Sequence, residues 1–152
     1  MSPITRGYSP ATVEQLQASD FMLQRPTTSL PSRLLLASIE GGAVEEVVQV
    51  FSPQAVAADA TVADVIDDGG VFLIQHPANG DDAASVKQEV GDRAYIVSVG
   101  PYDAALVWAD PFFEGDKRSY NIYWSDGTYD FSVIAGLDTP EEGLTFAMSL
   151  YC

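Results

Sequence analysis

At 152 residues the chain fits one domain and can bury a core of its own, and with 47% hydrophobic residues it is no candidate for wholesale disorder. Its 22 acidic residues against 7 basic ones leave a formal charge of −15, which excludes nucleic acid and anionic membrane surfaces as partners because both would be repelled. Solubility or adaptation to high salt accounts for that acidity, while a cationic partner or a metal stays open.

In chain order, Ser9-Pro10 followed by Val13 and Leu16 reads as a short helix with Ser9 as cap and Pro10 at its first position, so residues 1–20 are expected to be a short helix or a flexible leader. Gln24 to Ser32 holds Pro26 and Pro31 among Thr and Ser, which favours an extended connector. Leu34-Leu35-Leu36 and Val47-Val48-Gln49-Val50-Phe51 flank Gly41-Gly42 as the arms of a hairpin, although Glu45-Glu46 could also open a helix. Val62, Val65 and Ile66 stand at helical spacing before Gly69-Gly70, and Val71-Phe72-Leu73-Ile74-Gln75 is a compact apolar run suited to a buried strand. Ala78 to Gly91 is polar, a loop with a helical turn. Arg93 to Val99 and Ala104 to Trp108 read as two further strands around Gly100-Pro101, and Pro111 to Lys117 closes that unit.

The C-terminal stretch is the most explicit. Asp126-Gly127 suits a two-residue type I′ turn, which would set Trp124 opposite Tyr129, Ile122 opposite Phe131 and Tyr120 opposite Val133, one face apolar and the other mostly polar. Thr139, Pro140 and Glu142 then form a capping box, and Leu144, Ala147, Met148 and Tyr151 recur at i, i+3, i+4 and i+7 as a buried stripe. The expected fold is therefore α+β: a curved, mainly antiparallel sheet of about six or seven strands built from successive hairpins, packed by a C-terminal helix and one or two short helices.

Gly70 to Gln75, Val97-Ser98-Val99-Gly100, Ile122 to Phe131 with its Trp-Ser-Asp-Gly turn, and the final run ending in Ser149-Leu150 together resemble a family. They are similar to an uncharacterised extracytoplasmic domain near the C-terminus of bacterial membrane-anchored proteins, distantly like the lipoprotein-carrier and sigma-regulator sheet folds. The resemblance covers roughly the last 80 residues and rests on turn and core residues, so it implies a fold and an extracytoplasmic setting but no reaction. The chain departs from the family in showing no membrane anchor. Its uncharged runs, such as Val47 to Ala58, fall short of the roughly 18 residues a bilayer requires. No charged n-region precedes an apolar stretch at the start, so the expectation is a soluble chain, and an exported protein would have had its signal or anchor removed.

Chemistry is sparse. His76 is the only histidine and Cys152 the only cysteine, which rules out an intramolecular disulfide and a thiolate zinc cluster; no Gly-x-Ser-x-Gly elbow, phosphate loop or basic patch is present. No catalytic set and no cofactor is expected. Asp110, Glu114 and Asp116, in a loop bent by Pro111 and Gly115, are the best candidates for oxygen ligands to a metal, against a solvated-loop alternative. Two functions follow. One is a non-enzymatic extracytoplasmic sensing or interaction domain for a partner protein or cell-envelope component; the other is a carrier of an apolar molecule such as a lipid, with Trp108, Phe112, Phe113, Trp124 and Phe131 lining its cavity.

Overall fold

The α+β class expected from the pattern is the one observed. The computed structural model describes residues 3–80, 82–108, 119–136 and 140–151. Its elements in chain order are β1 (Ser9–Pro10), α1 (Val13–Ala18), β2 (Ser32–Glu40), β3 (Ala43–Phe51), α2 (Val62–Asp67), β4 (Val71–Pro77), α3 (Ala83–Val90), β5 (Ala94–Val99), β6 (Tyr102–Trp108), β7 (Tyr120–Ser125), β8 (Tyr129–Ala135) and α4 (Pro140–Met148). The strands form one 8-stranded antiparallel sheet in the order β1-β2-β3-β4-β8-β7-β6-β5. Among the described residues no helix is long and apolar enough to cross a membrane.

Succession of hairpins holds within each half but not between them. β2, β3 and β4 form one meander and β5 to β8 another, and the halves join where β4 pairs with β8 along Val71–Ala135 to Pro77–Tyr129. To make that join the chain leaves β4 at mid-sheet and begins β5 at the far edge, passing through α3, which packs on β5, β6 and β7. α3 is a full eight-residue helix where only a helical turn was expected. Asp82 caps it by accepting the Ser85 N–H, and Ala83 and Val86 are its buried anchors, too few among polar neighbours to advertise a helix.

Local chemistry explains most of the other elements. Gly41 and Gly42 both take positive φ, at 62° and 81°, and close β2 onto β3 with Glu40 facing Ala43, so Glu45-Glu46 belongs to a strand. The N-terminal expectation shifts: Ser9-Pro10 is a short strand beside Ala37 and Leu36, and the helix begins only at Val13. Thr12 caps it because the Thr12 hydroxyl accepts the Gln15 N–H while the Gln15 side chain accepts the Thr12 N–H, a reciprocal pair that Ser9 has no partner to form.

The C-terminal hairpin keeps its faces and changes its register. Trp124 stands opposite Phe131, Ile122 opposite Val133 and Tyr120 opposite Ala135, two residues from the expected pairing. Gly127 alone in the turn has positive φ, at 90°; Asp126 does not, so type I′ is excluded and the loop centres on Gly127-Thr128. The Asp126 carboxylate accepts the N–H groups of Thr128 and Tyr129, which sets this turn. In α4 the buried stripe is Gly143, Phe146 and Ala147, while Met148 is 39% exposed, because Phe146 packs edge-on to Phe51 and Gly143 meets Tyr120.

Both faces of the sheet are covered. One carries the main core, from Ala37, Val47 and Leu73 through Phe131 and Ile122 to Leu106 and Val99, beneath α1 and α4. The other is covered by α2 with Ile4 over the first half and by α3 over the second, around Ala105 and Val107.

Candidate functional site

The aromatic residues singled out in the sequence separate. Trp124 and Phe131 are fully buried and stacked, ring centroids 5.2 Å apart at 13°, and the Trp124 indole N–H donates to the Tyr151 hydroxyl at 2.8 Å. Trp108, half-buried at the end of β6, tilts against Tyr120 on that same face. Phe112, Phe113 and the acidic trio Asp110, Glu114 and Asp116 lie outside the described residues. Among the described residues no group of three or more His, Cys, Asp or Glu side chains is placed to hold a metal ion.

Polar groups also stand on the buried face, where the chain uses them on itself. Gln75 and Gln49, 0% and 1% exposed, reach an extended strap at residues 22–24. Gln75 accepts the Gln24 N–H and donates to the Met22 carbonyl, Gln49 donates to the Gln24 carbonyl, and the Met22 N–H is taken by the Tyr129 hydroxyl. Side chains thus replace a neighbouring strand for this backbone. Glutamine inside the apolar runs Val47–Phe51 and Val71–Gln75 was the available sequence signal for it.

On the other face, an open cleft of about 470 Å³ is lined by Arg6, Tyr8, Ser38, Glu45, Glu46, His76 and Asn79. Pairing supplies its floor, since Ser38 faces Glu46 and His76 faces Asp130, whose carboxylate accepts the Asn79 N–H at 2.9 Å. The Tyr8 hydroxyl donates to Glu46. Burial first, then that hydrogen bond and the Glu46 charge, hold the Tyr8 hydroxyl well above its ordinary pKa, so it keeps its proton and fastens the N-terminal segment to β3. His76 Nδ1 lies 2.9 Å from the Pro77 carbonyl oxygen. These contacts are structural ties; none brings a base to a nucleophile.

The sheet edge differs in kind. β1, at one end, is only two residues long, whereas β5 at the other is six residues, Ala94 to Val99, and among the described residues it pairs with β6 on one side alone. It contains no charged residue and no proline. Tyr95 and Ile96 are 59% and 49% exposed, and alternation sends them to opposite faces, beside Leu106 and Ala105 respectively. Lys87 donates to the carbonyls of Gly91 and Ala94, covering only the first residue of the strand. An apolar edge is what sheets normally protect with charges, prolines or bulges, and β5 has none of these within it. Alternation in Tyr95-Ile96-Val97-Ser98-Val99 shows a strand in the sequence; which strands flank it is set by the crossover from β4.

Compared with known proteins, the chain matches no family model, no curated protein and no solved structure.

Proposed function

We propose that this protein is a non-catalytic interaction domain that takes an extended segment of a partner onto the free edge of β5 as a ninth strand. The observation that carries it is the uncharged six-residue edge with Tyr95 and Ile96 exposed on its two faces. Such an edge offers backbone donors and acceptors for affinity and apolar side chains for selectivity. The extracytoplasmic setting of this proposal comes from the resemblance of the C-terminal half. The carrier alternative has less support, because the Trp124–Phe131 stack, Tyr120 and Phe146 occupy the space beneath α4 that a ligand would need.

The test is a random-peptide selection on the intact chain followed by hydrogen exchange. Selected peptides should slow exchange within Ala94–Val99, and lose that effect on a Tyr95→Ser/Ile96→Ser variant, whose positions are exposed enough to leave the fold intact. Peptides that protect α4 or the Tyr8–His76 cleft and leave β5 unchanged would overturn the proposal.

A further inference from the structure

We infer that the strand received by β5 is a basic one, an extended segment of another protein in which Lys or Arg flanks two adjacent apolar residues; this rests on the docking role proposed above. Geometry sets the apolar half of the pattern. An added strand brings its side chains within about 4.5–5.5 Å of the facing residues, so two successive positions meet Tyr95 on one face and Ile96 on the other.

Charge sets the rest. Asp92 precedes the edge, Asp103 faces Ser98 near its far end, and Glu89 belongs to α3, the helix packed on β5, all three exposed. Against them stand Arg93 and Lys87, and the Lys87 ammonium is engaged by the Gly91 and Ala94 carbonyls. Carboxylates therefore bracket an uncharged strip on a molecule of formal charge −15, and an incoming cationic strand is attracted along its whole approach. The exposed Tyr95 ring adds a face on which a Lys or Arg can settle. A second copy of this chain fits the same edge poorly, since it brings another −15 and offers Arg93 and an already engaged Lys87 at its own β5.

Labelled synthetic peptides with one adjacent pair of apolar residues and the flanking positions filled by Lys/Arg, by Ser/Thr or by Glu/Asp are titrated against the intact chain, with anisotropy and hydrogen exchange as readouts. The basic peptide should bind about tenfold or more tighter than the acidic one at low salt, protect Ala94–Val99, and lose that advantage as the screening length falls. The Tyr95→Ser/Ile96→Ser variant, whose charge is unchanged, should weaken it, and Asp92→Asn with Asp103→Asn should flatten its salt dependence. Equal or better binding by the neutral or acidic peptide at β5 would overturn the basic partner and leave the docking edge standing. A concentration-dependent dimer in sedimentation, abolished by the serine variant, would replace the partner with a second copy. Failure of every peptide to protect β5 would sink the docking edge itself.

Discussion

Tyr120 is wholly buried, yet its hydroxyl is used: it accepts the Gly143 N–H at 3.0 Å, where α4 comes so close that a Cβ on residue 143 would lie 2.4 Å from that oxygen. Burial pushes the Tyr120 hydroxyl up to about 12, so it stays protonated through the physiological range. Two single changes probe the contact from opposite sides. Gly143→Ala forces the ring or the helix to move and should cost about 1–3 kcal/mol, as overpacking does. Tyr120→Phe leaves a buried N–H without its acceptor and should cost about 1–3 kcal/mol. Because both act on one oxygen, the double variant should cost less than the sum of the singles in urea unfolding; strict additivity would show that the contact does not couple them. The pair was invisible in the sequence, where Gly143 reads as a weak point in a helix and Tyr120 as one more apolar-face residue. Only the crossing of α4 over β7 gives the glycine its reason.

Elements show where period and turn chemistry are informative and where they stop. The hairpin of β7 and β8 was recognisable because alternation fixes which residues share a face. A slip of two residues preserves that alternation, so the apolar pattern could not choose between Trp124–Tyr129 and the observed Trp124–Phe131. The turn chooses, through the Asp126 carboxylate accepting from Thr128 and Tyr129. Gly127 keeps its importance under the new register: its φ is 90° with open space around it, so Gly127→Val should cost about 1–2 kcal/mol through the backbone alone, and Gly127→Asn less. A Val variant with an unchanged urea midpoint would show that the turn adapts freely. By contrast, the strap at residues 22–24 was legible only as a connector, since nothing local says that it lies against Gln49 and Gln75. Gln75→Leu should leave the Gln24 N–H and Met22 carbonyl seeking water and open the strap at a cost of about 2 kcal/mol or more, with exchange accelerated at Gln24 while β4 stays protected. Equal acceleration in β4 would mean that the strap and sheet open as one unit.

For the whole molecule, the two meanders were each readable from strand spacing, but their junction was not. A strand pattern records faces and lengths, and the β4–β8 pairing is a long-range choice made by α3 carrying the chain to the far edge. That choice exposes β5 and so creates the candidate site, whereas of the aromatic residues to which the sequence pointed Trp124 and Phe131 pack in the core. Charge acts at the same scale. Twenty-two acidic residues against 7 basic ones are held closer together in the fold than in the unfolded chain, so the native state bears more self-repulsion. Raising NaCl from about 0.01 M to about 0.1 M shortens the screening length from about 30 Å to about 10 Å. Stability should then rise on the order of 1 kcal/mol, roughly 2–4 °C in Tm for a chain of this size. Sodium sulfate at equal ionic strength should act alike if screening is the cause, whereas a larger sulfate effect would point to strengthened apolar burial. The same titration should weaken a basic peptide at β5. Stability and affinity are therefore expected to move in opposite directions with salt, and a joint rise would show that the acidic surface does not govern the edge.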